Sequence, residues 1–398
     1  MGCVIAGGGP AGAVLALILA RAGVEVTLLE KHGDFLRDFR GDTIHPSTLQ
    51  VLDELGLAKD FLKLPHHKAY GLSFVTDAGE ITMANLRGMP GKYDYIAFVP
   101  QWDFLELITS AARRYPGFRL LMNAEAYDLI REDGAVRGLR YRDPSGDHEI
   151  RADLTVAADG RTSTLRARAG LVPEDLDAPM DVVWFRLPRY ETDREDPFLR
   201  ISGGHMMVAI NRGTYWQLAY LIPKGGYDDL VRGGIDALRG PVAELMPWLG
   251  DRVGEIGGYD DVSVLTVALN RLRRWHRPGL LCIGDAAHAM SPVFGVGINL
   301  AVQDAVAAAN LLAGSLRSGA PIPESTLHLV QRRRMFPTRF TQAAQRVVQN
   351  RVIRPALSRS FNPPRLPRDL ARLPLVNRLA RRFIGHGVRP EHVTVDEI

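Results

Sequence analysis

The sequence has few of the features that mark secreted, membrane-spanning or metal-binding proteins. Only two of its 398 residues are cysteines, Cys3 and Cys282, so no disulfide framework is available. No Cys-x-x-Cys pair is present, and no cluster of His, Cys, Asp and Glu has the spacing of a metal site. The apolar run at residues 13–20 is too short to span a bilayer, and no basic segment precedes it. We therefore predict a cytoplasmic protein without a metal ion.

The charge is also close to balanced. The chain has 49 Lys and Arg against 45 Asp and Glu, a net charge of +4, and the basic residues are spread along it. This distribution predicts no nucleic-acid partner.

Arginines in the C-terminal tail could form a basic amphipathic helix on an anionic membrane. Pro367 and Pro374 interrupt that stretch, however, and helical spacing mixes Arg with the apolar face. A packed helix with solvated arginines is the preferred interpretation, so we expect no membrane contact. The arginines concerned are Arg365, Arg368, Arg372, Arg378, Arg381 and Arg382.

The N-terminus carries a glycine pattern between a short apolar strand, residues 3–6, and an Ala-rich helix. Gly7, Gly9 and Gly12 have G-x-G-x-x-G spacing, and a second strand ends in Glu30. In such βαβ units the first glycine permits a tight turn, the second lets a diphosphate approach the main chain, and the third lets helix and strand pack closely. The pattern predicts a dinucleotide site but does not separate FAD from NAD.

The electrostatics of this unit agree with that prediction. The N-terminus of the helix offers free N–H groups and a partial positive charge to phosphates. Glu30 can accept hydrogen bonds from an adenosine ribose and would repel a 2′-phosphate.

The remaining sequence shows two kinds of hydrophobic pattern, one typical of strands and one of helices. Alternating apolar runs, including strands at 205–211 and 215–222, dominate from about residue 180 to 268. A buried strand at 279–283 and a long Ala-rich helix at about 298–316 follow them. Length predicts two or three domains. We expect a discontinuous α/β region with a sheet region inserted, and a ligand cleft where they meet.

Three motifs together carry a family resemblance: Gly7-x-Gly9-x-x-Gly12, Asp159-Gly160 and Gly284-Asp285. In this order and at these separations the chain resembles the FAD-dependent aromatic hydroxylases, the single-component monooxygenases of the para-hydroxybenzoate hydroxylase type. The resemblance implies an α/β fold. Its Rossmann-like FAD-binding domain, of the GR2 type, would comprise residues 1–65, 98–175 and 270–345. A mostly antiparallel substrate-binding sheet would comprise 66–97 and 176–269, and a C-terminal helical segment 346–398.

The resemblance also assigns residues to the cofactor. Asp285 is expected to bind the ribityl chain, and the segment from Pro292 to Asn299 should pass beneath the flavin ring and begin a helix. Arg40 is expected near the diphosphate. The full set of implied FAD-binding residues is Gly7, Gly9, Pro10, Ala11, Gly12, Glu30, Lys31, Arg40, Gln101, Asp159, Gly284, Asp285, Pro292, Gly295, Gly297, Ile298 and Asn299.

The chemistry implied by the resemblance uses FAD, NAD(P)H and O2. Hydride reduces the flavin, O2 adds to it as a C4a-hydroperoxide, and one oxygen atom passes to the substrate. That hydroperoxide decays in water, so the cleft must be dry. Pro292 and Gly295, in the loop beside the flavin, are the implied catalytic positions. His288, in an apolar stretch, and His45, before Pro46, are interpreted as structural.

The substrate is expected between the flavin and the inserted sheet, and it should be aromatic or polyketide-like. His205 and Tyr215 are candidates for a base that ionises a phenol. Alternation along the strands means that about half of the apolar side chains point away from any pocket. The residues offered for the lining are Phe185, Met206, Met207, Tyr215, Trp216 and Tyr220.

Other functions remain open on the same fold. A flavin-dependent halogenase would carry a Trp-x-Trp-x-Ile-Pro signature, and the segment at 215–223 keeps Ile-Pro but has one Trp, Trp216. A geranylgeranyl reductase-like enzyme and a non-catalytic flavoprotein are further alternatives. The protein is expected to be a monomer or a homodimer.

Overall fold

A parallel sheet forms the centre of the first structural layer. The computed structural model describes residues 2–36, 43–77, 79–358 and 374–398. Six strands pair in the order β20-β21-β12-β1-β2-β8, all parallel except the β20–β21 pair. Their bounds are β1 Cys3–Ala6, β2 Val26–Leu29, β8 Phe118–Leu121, β12 Leu154–Ala157, β20 His276–Arg277 and β21 Leu280–Cys282.

Helices cover this sheet because their apolar faces are buried against it. The Ala-rich first helix is buried at ten consecutive residues, 11–20, and it packs closely on the long eighth helix. The helices of the described fold as a whole, including those that pack elsewhere, are α1 Pro10–Arg21, α2 Pro46–Glu54, α3 Ala58–Phe61, α4 Gln101–Ala112, α5 Thr164–Arg168, α6 Tyr227–Arg232, α7 Asp236–Leu245, α8 Gly297–Ser318, α9 Glu324–Val348, α10 Arg354–Ala356 and α11 Pro374–His386.

Helix α8 is apolar enough to raise the question of a membrane. The segment at 293–318 has the length and hydropathy of a spanning helix, but 83% of its most apolar stretch is buried inside the protein. It therefore packs as a core helix.

A second, seven-stranded sheet faces the first layer. Its order is β18-β14-β17-β16-β15-β5-β6, and only the β15–β5 pair is parallel. Helix α7 covers one face of this sheet. The strands are β5 Gly71–Thr76, β6 Gly79–Asn85, β14 Met180–Pro188, β15 Phe198–Ser202, β16 His205–Asn211, β17 Tyr215–Pro223 and β18 Ser263–Leu265.

Three small sheets and several short helical turns complete the described fold. The sheets are β11-β10-β9, β13-β19-β22 and β3-β7-β4. Their strands are β3 Thr43–Ile44, β4 His67–Ala69, β7 Ile96–Phe98, β9 Glu125–Glu132, β10 Ala135–Asp143, β11 Gly146–Arg151, β13 Pro173–Asp175, β19 Asn270–Leu272 and β22 His288–Ala289. The 3₁₀ turns are Pro247–Glu255, Tyr259–Asp261, Gly284–Ala286 and Val293–Gly295, and a π-helical turn spans Gln349–Ile353.

Candidate functional site

The glycine motif lies between β1 and α1, and its three glycines do different things. A Cβ atom at Gly7 would lie 2.3 Å from the Ala158 carbonyl oxygen, and one at Gly12 would lie 2.1 Å from the Gly7 carbonyl oxygen. A Cβ atom at Gly9 would meet nothing within 4 Å. Gly7 and Gly12 are therefore required by packing within the protein, whereas Gly9 borders open space.

Glu30 supports this loop from the end of β2. One carboxylate oxygen accepts a hydrogen bond from the Gly8 main-chain N–H at 3.0 Å, and the other accepts from His32 N–H at 3.1 Å. The acidic residue thus holds the glycine loop in place, a role that the motif alone does not reveal.

The open space at Gly9 belongs to a large cleft between the parallel sheet and the seven-stranded sheet. It encloses about 2370 Å³, including its open mouth. Its lining includes both the glycine loop and strands of the seven-stranded sheet, so one continuous cavity joins these two parts of the fold. The predicted residues that line it are Gly9, Pro10, Ala11, Gln101, Asp285, Pro292, Gly295, Gly297 and Ile298.

The Gly284–Asp285 turn is pressed against the start of α1. A Cβ atom at Gly284, whose φ is +57°, would lie 2.9 Å from the Ala11 Cβ. This contact places Asp285 in the cleft wall, where one of its oxygens lies 3.9 Å from the Arg161 Nη2. Arg161 also donates to the Thr266 carbonyl oxygen at 3.2 Å. The turn therefore presents a charged pair beside the glycine loop.

The loop before α8 is strained and held on several sides. Phe294 has a φ of +69°, which is rare for a bulky residue and typical of functional sites. Thr43 Oγ1 donates to the Gly295 carbonyl oxygen at 2.5 Å. The Gln345 side chain donates to the Ser291 and Val293 carbonyl oxygens, both at 2.9 Å. The loop thus places the N-terminus of α8, with its free N–H groups, at the cleft.

Some of the predicted cofactor residues act behind the cleft wall. Asp159 accepts hydrogen bonds from the Ser163 hydroxyl and, at 3.1 Å, from the Leu165 N–H, so it fixes the start of α5. Burial raises the pKa of its carboxyl despite these bonds. Asn299 accepts from the His45 N–H at 3.0 Å and from Thr48 Oγ1 at 2.6 Å. Both side chains are thus bonded within the protein and do not line the cleft, and their contact with the cofactor stays a prediction.

The remaining predicted cofactor residues that the structure describes do not line the cleft either, and they differ in what they do. Gly7, Gly12, Gly284 and Glu30 shape the wall without lining it, and Lys31 is exposed at the surface. Arg40 lies outside the described residues. Gly160 and Arg161, beside Asp159, do line the cleft.

The sheet geometry places both predicted substrate-side bases outside the cleft lining. His205 lies on the opposite face of β16 from Met206, and its Nδ1 is 2.6 Å from the Tyr220 hydroxyl. Tyr215 is the first residue of β17, and the Arg186 guanidinium lies 5.1 Å from the centroid of the Tyr215 ring. Neither residue lines the cleft.

The same geometry places most of the residues expected to line the substrate site on the other face of the sheet. Of the six residues offered, only Met206 lines the cleft. Phe185, Met207, Trp216 and Tyr220 are buried in the core between the sheet and α7. The Trp216 indole, which prompted the comparison with halogenases, donates to Asp193 at 2.9 Å on that side.

Apart from Met206, the residues that form the apolar wall were not predicted from the sequence. On β14, β16 and β17 they are alternate residues, a parity that alternation can suggest but not assign. Other wall residues come from β5, β15 and β18 of the same sheet and from helical segments, and no signal in the sequence marks them. The residues of β14, β16 and β17 are Met180, Val182, Trp184, Met206, Val208, Ile210, Ala219 and Leu221; the others are Phe74, Phe198, Leu199, Leu265, Val348, Val352, Ile353 and Ile384.

His45 links α11 to the chain between β3 and α2, which agrees with the structural role predicted for it. Its Nδ1 is 2.6 Å from the Ile384 carbonyl oxygen, and the side chain is 1% exposed. Burial lowers the pKa of this imidazole to about 4, although the Ile384 carbonyl acts in the opposite direction. The ring is therefore neutral at pH 7. Within the described ranges, no group of three or more His, Cys, Asp or Glu side chains could hold a metal ion.

Comparison with known proteins identifies the class to which this site belongs. The chain matches the family described as "FAD binding domain" over residues 2–344. The 6-methylpretetramide 4-monooxygenase of Streptomyces rimosus is 33% identical over 353 residues, which cover 88% of this chain and 84% of that protein. The para-nitrophenol 4-monooxygenase of Pseudomonas sp. strain WBC-3 is 25% identical, covering 84% and 83%.

The fold is shared with solved structures as well. PqsL of P. aeruginosa, in complex with 2-aminobenzoylacetate, superposes with a TM-score of 0.76 at 20% identity, covering 90% of this chain and 97% of that one. The chain therefore belongs to the FAD binding domain family, and it is an FAD-dependent monooxygenase with the mixed α/β fold of that family.

Gly9 and Gly12 allow a test of the site. Gly9→Ala should leave the stability of the cofactor-free protein unchanged, because the new methyl group enters open space. It should weaken FAD binding by about tenfold or more, because the methyl group occupies the space a diphosphate needs. Thermal unfolding of the apoprotein and FAD titration measure the two effects.

Gly12→Ala is the matched control. Its methyl group would overlap the Gly7 carbonyl oxygen, so the melting temperature of the apoprotein should fall as well. FAD binding by Gly9→Ala equal to that of the wild type would show that the space at Gly9 is not used by the cofactor.

The buried imidazole predicts an acid-dependent loss of stability. The unfolded chain binds a proton at His45 near pH 6.5, whereas the folded chain does so only near pH 4. The stabilisation from neutral His45 is therefore complete above pH 6.5 and is lost as the pH falls towards 4. We expect about 3 kcal/mol over this window.

Urea unfolding of the wild type and His45→Asn measures this contribution. The variant should show a smaller loss of unfolding free energy over the same pH window. Equal losses in the two proteins would show that His45 does not titrate in this way.

Proposed function

We propose that this monooxygenase uses NAD(P)H and O2 to hydroxylate an aromatic or polyketide-like small molecule in the cleft. The observation that carries the proposal is the continuity of one cavity. It runs from the glycine loop and Asp285, past the strained loop before α8, to the apolar face of the seven-stranded sheet. A site of this form brings a redox cofactor and an apolar substrate together.

We assign the cofactor's parts to the residues that line the cleft. The main chain at Gly9, Pro10 and Ala11 would hold the diphosphate at the N-terminus of α1. Asp285 would accept hydrogen bonds from the ribityl hydroxyls. The segment Pro292–Ile298 would lie against the ring, where the N-terminus of α8 favours negative charge. When bound, FAD supplies hydride acceptance and oxygen activation.

The substrate end of the cleft defines the class of ligand. Trp184, Val208 and Ala219 lie side by side on β14, β16 and β17, because Ala219 pairs with both of the others. Their neighbours in the wall are also apolar. Such a surface binds a flat, apolar ring system and excludes water from the reacting atoms. We propose that this sheet with α6 and α7 is the substrate domain, residues 66–97 and 176–269.

The 33% identical relative points in the same direction, since its name specifies 6-methylpretetramide as substrate. That compound, together with simple phenols and quinones, forms the first assay panel. The cytoplasmic location and the monomeric or homodimeric state remain predictions.

The function is tested by substrate-stimulated oxidation of NAD(P)H. A substrate should raise the oxidation rate several-fold above background, and the product should gain the mass of one oxygen atom. Parallel reactions with bromide and chloride test for halogenation instead. If no compound of the panel raises the rate of NAD(P)H oxidation by protein that still holds FAD, the proposed hydroxylation is wrong for these compounds.

The wall assignment makes a separate prediction. Ala219→Phe should fill the cleft between Trp184 and Val208, raising KM at least tenfold without loss of FAD, because Ala219 lies on the seven-stranded sheet and not on the segments assigned to the cofactor. His205→Gln should retain near-wild-type kcat and KM, because His205 faces away from the cleft. Steady-state kinetics and the flavin content of both variants decide the question. A large fall in kcat for His205→Gln would contradict the assignment.

A further inference from the structure

A fully buried group of charged side chains lies directly behind the Gly284–Asp285 turn. Asp304, on α8, is 0% exposed, and it is the only acidic residue of that helix. One of its oxygens lies 2.6 Å from His288 Nε2, and the other accepts from Arg334 Nε at 3.0 Å. His288 and Arg334 are 1% and 2% exposed.

Asp304 also reaches the main chain of the turn. The Gly284 N–H donates to it at 3.1 Å, and Gly284 immediately precedes Asp285 in the cleft wall. Because a carboxylate only accepts, His288 Nε2 must carry the shared hydrogen. Asp304 therefore holds two points of one short segment, the N–H of residue 284 and the side chain of residue 288.

The energetics argue that this group has a positional role. A buried ion pair generally stabilises a fold no better than well-packed apolar residues of the same volume, although removing one partner is costly. Burial opposes ionisation of Asp304, but His288 and Arg334 outweigh it and keep the pKa of this carboxyl low. The charge is thus maintained in an Ala-rich core where apolar packing was available.

The position of the turn shows what is held. Gly284 packs against Ala11, at the start of α1, and against Ala301, one turn before Asp304 on α8. Ala11, Asp285 and Ala301 all line the cleft. A shift of the turn would therefore move Asp285 relative to both the glycine loop and α8.

We propose that Asp304, held by Arg334, is a positioning residue for FAD that fixes the Gly284–Asp285 turn from behind the cleft. It does not touch the cofactor, and it acts through the Gly284 N–H and His288. The proposal rests on the assignment of the cleft to FAD. Residues that orient a ligand-binding group without touching the ligand change affinity by about 10–100-fold in metal sites, and we expect an effect of that order here.

The test compares Asp304→Asn and Arg334→Gln with Arg333→Gln. Arg333 is adjacent in sequence but 49% exposed, and it pairs with Glu391 at 2.6 Å rather than with Asp304. FAD is titrated into each folded apoprotein, and the dissociation constant, the visible spectrum of the bound flavin and the melting temperatures with and without FAD are recorded. The first two variants should bind FAD about tenfold or more weakly, and the control should stay within about twofold.

Partial rescue separates positioning from general stability. Arg334→Lys keeps the charge and should bind FAD more tightly than Arg334→Gln, with a flavin spectrum closer to that of the wild type. If Asp304→Asn does not fold, the two Arg334 variants decide. Unchanged FAD affinity in variants whose apoprotein and FAD-bound melting temperatures fall equally would overturn the proposal. A wild-type protein that binds no FAD would instead overturn the assignment of the cleft.

Discussion

The site depends on the close approach of main chains at the edge of the parallel sheet. A methyl group at Gly12 would overlap the Gly7 carbonyl oxygen, and one at Gly284 would crowd Ala11. The contact of Gly284 with Ala11 brings the first and third motifs together although they are far apart in the sequence. These close contacts also leave a gap at Gly9, which is the only one of the three motif glycines whose missing side chain borders empty space. Gly7 and Gly12 allow the close main-chain contacts of this region, whereas Gly9 leaves free space beside the main chain.

Features that depend on local main-chain geometry could be predicted from the sequence. The strand at 205–211 has the predicted bounds, and the helix predicted at about 298–316 is found at Gly297–Ser318. The glycine loop and the Asp285 turn lie on the cleft because strand-to-helix turns at one edge of a parallel sheet must lie near one another. Strands, helices and turns form between residues that are close in sequence, so their hydrophobic periods and glycine motifs can be recognised in a single sequence.

The face of the seven-stranded sheet that forms the substrate wall could not be predicted, because both faces are apolar. Helix α7 buries one face, including Met207 and Tyr220, and the cleft takes the other, including Met206. Alternation therefore divides the residues correctly but does not say which half meets the ligand. The roles of Asp159 and Asn299 were hidden for a related reason. Their partners, Ser163 and Thr48, are ordinary polar residues without a motif of their own.

The contribution of α11 to the cleft has a consequence for variation at the C-terminal side of the chain. Ile384 forms part of the cleft wall, and its carbonyl oxygen lies 2.6 Å from His45 Nδ1, yet α11 lies outside the region matched by the family, residues 2–344. A substitution in this helix therefore reaches the ligand cavity directly at Ile384 and indirectly through His45. Relatives that share the matched region but differ in this helix would accordingly have a different wall at this point.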